Sequence, residues 1–352
     1  MRLLDRRSLL QLVAPLVLVV GAGLIALGVS AAIEIYFLTA IVMTAIVVSI
    51  SVFVGNSGVI SFGQISFVAI GAFSSGVLTI PAESKGGVLP TLFPILRDHT
   101  MGNVPSLLLA AALGGIFALV LGLPLMRLNG LAAGIATFAV LMIVHNLFHE
   151  WDKIGPGAMT LALIPESTGV LQATVGTCVV IVVAWAYRRS RPGRMLCASR
   201  EDARAAAAAG INVHRQRLLG FTLSGALAGL SGGLYVHMLG SITADQVFLD
   251  LTFLTLAMLV FGGAASLWGA VVGALAVSGL SSFLSQSEDG INLGFRFHLP
   301  QGGRLVILGV VMAGVLILKP SGVTGGREFS LDGVAVLVRR LARPSISRGG
   351  SR

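Results

Sequence analysis

The chain has 352 residues, 55% of them hydrophobic and 11% charged, with a mean hydropathy of +0.92 and a formal net charge of +9. This balance excludes an ordinary soluble domain and places the chain among polytopic helical membrane proteins. The basic residues gather beside apolar runs and do not interleave with aromatics on a polar surface, so the charge belongs to a membrane topology and not to a nucleic-acid partner.

Met1 to Arg7 is basic, and the apolar run that follows from Ser8 is longer than the roughly 7 to 15 residues of a cleaved signal core. It is therefore read as a retained first span. Apolar runs predict spans at 8–32, 35–54, 60–80, 104–126, 131–148, 169–187, 216–239, 247–262, 265–285 and 303–319. The result is an all-α transmembrane bundle of about ten spans over residues 1–320, followed by a basic cytoplasmic tail over 321–352 whose end, from about Pro344, is expected to be disordered. With both termini inside, 19 of the 24 Lys and Arg fall in or beside cytoplasmic segments. Only Lys85, Arg97, Lys153, Arg296 and Arg304 lie outside. Lys and Arg favour the cytoplasmic side, so this asymmetry fixes an N-in, C-in orientation.

The stretch from Gly55 to Ala72 combines Gly55 and Gly58 with Asn56, Ser61, Gln64 and Ser66. Polar groups at membrane depth must face a cavity, a partner helix or an unwound backbone. Broken helices hold small polar solutes in transporters, so these six residues are candidates for a solute path; a break whose side chains only satisfy freed backbone groups fits equally. A second Gly-rich junction, Gly262 to Gly269, is either a tight turn or a break, and the short 247–262 run suits a half-helix. Within the spans, Gly225, Gly229 and Gly233, and Gly269 and Gly273, recur every four residues, a pattern suited to close helix packing in lipid.

His145 and His149 share one helix face at the outer end of the fifth span, but His149-Glu150-Trp151-Asp152-Lys153 lacks the further ligand of a zinc-protease helix. Interfacial solvation is the reading taken, with no metal site. Cys178 and Cys197 indicate neither a disulfide framework nor a thiolate site. No nucleophile, base and orienter assemble into an enzyme.

Between the sixth and seventh spans, the polar loop 188–217 carries eight arginines: Arg188, Arg189, Arg191, Arg194, Arg200, Arg204, Arg215 and Arg217. Within it, Ser199 is expected to cap a helix, with Asp202 as the capping-box acid and Gly210 closing an alanine run from Ala205 to Ala209. Alanines give helix propensity but little apolar area to bury. A helix lying in the groove of another protein and a solvated helix resting on its own bundle both fit that composition. Energy supply favours docking. Lys85, Lys153 and Lys319 are the only lysines and none stands in a Gly-Lys-Ser/Thr loop, while the span interiors lack an evident acidic or Lys relay. Uphill transport would need another subunit to drive it.

Five blocks in order carry a resemblance: GNSGVISFGQISFVAIGAF (55–73), RLNGLAAGIATFAVLMIV (127–144), GRMLCASREDARAAAAAGINVHRQRLLGFTLSGALAGLSGGLY (193–235), VFGGAASLWGAVVGA (260–274) and RLVILGVVMAGVLILKPSGV (304–323). The chain resembles the permease subunits of branched-chain amino acid ABC importers, of the LivM type of the LivH/LivM pair. That resemblance implies a heteromeric importer in a prokaryotic inner membrane. It would comprise a second LivH-like permease subunit, two cytoplasmic ATPase subunits that hold ATP and Mg, and an external solute-binding protein, all set in membrane lipid, with no cofactor in this chain. It also implies that Arg200, Glu201, Asp202, Arg204, Ala205, Ala206, Ala207, Ala208, Ala209 and Gly210 form the segment that couples to the ATPase. Where the family carries a Gly-Gly-Ser-Asn-Gly-like loop, this chain has Gly155-Pro156-Gly157-Ala158-Met159-Thr160. Urea and short-chain amide permeases share the same blocks, so the solute stays open between these and a hydrophobic amino acid.

Overall fold

The apolar runs fold into helices close to the predicted spans. The computed structural model describes residues 6–89, 91–288, 291–292, 296–297 and 303–328. In chain order the helices are α1 (Arg6–Leu27), α2 (Ala31–Ser57), α3 (Gln64–Thr79), α4 (Ala82–Val88), α5 (Pro94–Asp98), α6 (Asn103–Leu125), α7 (Leu131–Glu150), α8 (Val170–Arg189), α9 (Arg191–Glu201), α10 (Ala203–Ala208), α11 (Val213–Leu239), α12 (Leu249–Gly262), α13 (Leu267–Glu288) and α14 (Gly303–Leu318). A 3₁₀ turn, Asp245–Val247, leads into α12, and Ile291–Asn292 pairs antiparallel with Arg296–Phe297 between α13 and α14. Among the described residues, eight helical segments are long and apolar enough to cross a membrane, and α3 and α14 are shorter apolar helices. Together they occupy the ten predicted positions, and the chain is a multi-pass membrane protein.

Contacts between the loops sort them into two sets that alternate along the chain. On one side Arg189 donates to Gln11, Arg200 to the Gly55 carbonyl and Arg217 to Asn129, while Arg188 pairs with Glu328. On the other side Phe93 N–H donates to the Lys153 carbonyl, Leu161 bridges Ile242, and Met101 N–H reaches the Leu78 carbonyl. The first set holds the predicted cytoplasmic segments, so topology inferred from charge and topology built from contacts agree.

The centre of the bundle is α2, α3 and α11. All of α2 from Ala40 to Ser57 is buried, and in α3 only Ser74 escapes burial. Peripheral α1 instead exposes Val17, Leu24 and Ile25, a surface suited to lipid. Lipid is as apolar as leucine, so close packing must hold such helices together. Small residues supply it: a Cβ on Gly71 of α3 would strike the Gly229 carbonyl of α11, and one on Gly229 would strike the Ala110 carbonyl of α6. Gly262 and Gly273 bring α12 and α13 together in the same way.

The start of the predicted tail is packed. Val323 N–H donates to the Phe261 carbonyl at 2.8 Å and the Thr324 hydroxyl to the Gly262 carbonyl at 2.7 Å. Glu328 accepts from Leu267 N–H at 2.9 Å and Trp268 N–H at 3.3 Å, placing a carboxylate at the positive end of α13. The expected disorder from Pro344 lies outside the described residues.

The glycine contacts make one position decisive. Gly229→Leu should disrupt α11–α6 packing, because the Ala110 and Gly114 backbone it meets cannot yield, with a loss of about 1–3 kcal/mol. A lowered thermal midpoint of the detergent-solubilised chain would register it, and the peripheral Gly21→Ala, whose Cβ would meet no atom within 4 Å, should leave that midpoint in place.

Candidate functional site

The cytoplasmic loop folds as two helices where one was expected. Ser190 caps α9: its side chain accepts from Gly193 N–H at 3.2 Å, with Pro192 in the first turn. Ser199 is not a cap. It lies inside α9, buried, and its hydroxyl donates to the Leu196 carbonyl at 2.7 Å. Asp202 takes that role for α10, accepting from Arg204 N–H at 2.8 Å and Ala205 N–H at 3.0 Å. The expected end at Gly210 is present: with φ +83°, its N–H reaches the Ala207 carbonyl and Ile211 N–H reaches the Ala206 carbonyl, a Schellman closure. Ala206 is the buried residue of α10, while Ala205, Ala207, Ala208, Ala209 and Gly210 are exposed, as are Glu201, Asp202 and Arg204. The alanines thus form a smooth surface on the cytoplasmic side of the bundle.

α9 ties that surface to the glycine break. Leu196 is fully buried and meets Gly220 of α11. Cys197 Sγ donates to Asn56 Oδ1 at 3.3 Å, and Arg200 Nη1 donates to the Gly55 carbonyl at 2.9 Å. Burial pushes the Cys197 thiol up against the opposing pull of Arg188 and Arg200, which keeps it a protonated donor. Gly58 ends α2 in the left-handed region at φ +70°, and a Cβ there would lie 2.8 Å from Arg200 Cγ. Gly55 packs against the Ala264 carbonyl of the second Gly-rich junction. Arg200, Gly55, Asn56 and Gly58 therefore form one cluster.

Beyond Gly58 the chain runs without helix to Gly63 before α3 begins. At 16 residues α3 spans about 24 Å, less than the roughly 30 Å of a hydrocarbon core. At its cytoplasmic end sit Ser61, Gln64 and Ser66, each no more than 1% exposed. Gln64 Oε1 accepts from the Ser224 hydroxyl at 3.0 Å, but Gln64 Nε2, Ser61 Oγ and Ser66 Oγ have no protein partner. The six predicted path residues thus divide: Gly55, Asn56 and Gly58 lie at the end of α2 beside Arg200, Ser61 lies in the break, and Gln64 and Ser66 lie in the first turn of α3.

One buried polar chain is satisfied within the protein. The Ser75 hydroxyl lies 2.9 Å from both Ser106 Oγ and His237 Nε2, and His237 Nδ1 lies 3.0 Å from the Pro165 carbonyl. That chain cross-links α3, α6 and α11 and holds structure. Orphaned groups ask for a different partner. Ser66 Oγ and the similarly unpartnered His145 Nδ1 belong to residues bounding a narrow cleft between α3, α7 and the 3₁₀ turn, too tight to admit a water molecule. Phe73 and Phe148, stacked at 4.4 Å, Leu141, Val144, Ala69, Ala244 and Val247 complete its wall. His145, Phe73 and Phe148 were not legible as lining residues, because α7 joins α3 only through tertiary packing; a histidine facing inward from an apolar helix was the one available signal.

Residues 32–316 match the family described as branched-chain amino acid transport system, permease component. The autoinducer 2 import system permease protein LsrC of Enterobacter sp. (strain 638) is 28% identical over 60% of this chain and 62% of its own length. The guanosine ABC transporter permease protein NupQ of Bacillus subtilis (strain 168) is 27% identical over 60% of this chain and 69% of its own. The high-affinity branched-chain amino acid transport system permease protein LivM of Escherichia coli (strain K12) is 27% identical over 64% and 57%. The match thus spans about three fifths of the length of the first of these relatives. No solved structure matches.

Proposed function

Because the chain belongs to the permease-component family of branched-chain amino acid transport systems, we propose that it is the translocating subunit of an ATP-driven importer in a prokaryotic inner membrane. It works there with a second LivH-like permease, two ATPase subunits that bind ATP and Mg, and an external solute-binding protein. The mechanism is alternating access. ATPase subunits seat against the exposed alanines of α10, and their closure moves α9; Arg200 then carries the motion to Gly55, at the end of α2 where the chain breaks before α3. The observation that carries this reading is the Arg200–Gly55 hydrogen bond, which joins the cytoplasmic surface to the break.

The solute is a branched-chain or other hydrophobic amino acid, its polar end reaching Ser66 and Gln64, which are buried and leave a polar atom unpaired. A second reading is urea or a short-chain amide, which the unpaired Gln64 amide and Ser66 hydroxyl suit as well. The relatives' printed solutes, autoinducer 2 and guanosine, widen the range the family serves. An autonomous ion-coupled carrier is the competing class, and uptake by vesicles holding this chain alone under an ion gradient would favour it.

Ala207→Trp should abolish ATPase assembly while leaving the permease in the membrane, since bulk at a close contact cannot be accommodated. Co-purification of the ATPase subunits checks it, and normal assembly with normal uptake would count against docking at α10. Gln64→Leu should leave the complex assembled and lower ATP-dependent uptake of leucine into proteoliposomes by about tenfold, the scale of about 1.4 kcal/mol. Unchanged kinetics would assign Gln64 to structure.

A further inference from the structure

The histidine pair at the end of α7 acquires in three dimensions a third group that its own helix could not supply. Asp245, first residue of the 3₁₀ turn after α11, places Oδ1 3.6 Å from His145 Nε2. One donor atom from each of His145, His149 and Asp245 lies within 4.8 Å of the others. The two imidazoles are near parallel, with centroids 5.6 Å apart and planes at 19°. Phe248 stacks on His145 at 3.9 Å and 12°, which fixes that ring. The Asp245 side chain is 76% exposed against 12% for His145, so the cluster has one anchored ligand and one that faces the external solution.

Two imidazoles and one carboxylate suit a borderline divalent transition ion such as Zn²⁺, with a fourth position left for water; Ca²⁺ and Mg²⁺ prefer all-oxygen shells. Metal–ligand bonds of about 2.0–2.2 Å require the donor atoms to draw together by about an ångström, a movement within reach of side-chain rotation at Asp245 and His149. A plain surface ion pair would account for His145 and Asp245 but not for His149, held one helical turn away on the same face. We propose that His145, His149 and Asp245 form a zinc-class metal site at the external mouth of the bundle, joining the end of α7 to the turn before α12. His145 and Val247 also line the narrow cleft beside α3, so the ion would tie two of its sides together.

Calorimetric titration of the full-length chain in detergent with ZnCl₂ tests this directly. The wild-type chain should take up Zn²⁺ at a site whose affinity falls by about tenfold or more in His149→Ala and in Asp245→Asn, the scale of losing a ligand or its support. His214→Ala, on the cytoplasmic side, should bind as wild type does. Zn²⁺ should also raise the thermal midpoint of the wild-type chain and not that of the two variants. A variant that failed to fold would show a lowered midpoint without metal, and the other variant then decides. Equal Zn²⁺ affinity in wild type and both variants, or displacement of Zn²⁺ by equimolar Mg²⁺, would overturn the assignment.

Discussion

Backbone-to-backbone contact along α11 is the constraint on which the rest of the protein depends. Gly71 against Gly229, Gly229 against Ala110 and Gly232 against Val68 leave no room for a side chain, and so they set how far α3, α6 and α11 stand apart. In a bilayer nothing apolar drives helices together, and this fit does the work that burial does in water. Its consequence is the enclosure of α3. A helix too short to cross, preceded by non-helical chain from Gly58 to Gly63, has free backbone groups that hydrocarbon would not tolerate. Packed against Thr137 and Phe138 of α7, Phe253 of α12 and Arg200 of α9, the break becomes a permissible place for polar side chains.

From there the chemistry separates into holding and receiving. Ser75, Ser106 and His237 complete one another and stiffen the outer half of the bundle. Ser61, Gln64 Nε2, Ser66 and His145 Nδ1 do not, and a buried unpaired polar atom in a fully packed core is a cost that a solute can relieve. On the cytoplasmic side the break is gripped by Arg200. Its side chain fills the space beside Gly58 that a larger residue would need, and its guanidinium holds the last turn of α2 through Gly55. The helix that carries Arg200, α9, is capped by Ser190 and seated through Leu196.

Much of this was legible from composition. Long apolar runs place spans to within a few residues because their signal accumulates over about 20 positions, and the arginine asymmetry orients them. The spacing of Gly225, Gly229 and Gly233 announced a close-packed face. Local capping was harder to read: Ser190 and Ser199 both offer a hydroxyl ahead of a helical run, and only the burial of Ser199 and its bond to Leu196 decide between them. What no linear pattern carries is the meeting of distant groups. Arg200 with Gly55, Glu328 with the start of α13, and Asp245 with His145 each pair residues from separate elements. The two regions singled out independently, the alanine helix and the glycine break, turned out to be neighbours joined by α9.

The central claim, that Arg200 carries motion from the cytoplasmic surface to the break, is tested most directly by backbone hydrogen exchange across residues 55–66 in the assembled transporter, with and without a non-hydrolysable ATP analogue. The account predicts that nucleotide changes exchange in this segment of the wild-type protein and that Arg200→Ala, still assembled in the membrane, loses the response. An equal response in the two proteins would contradict it.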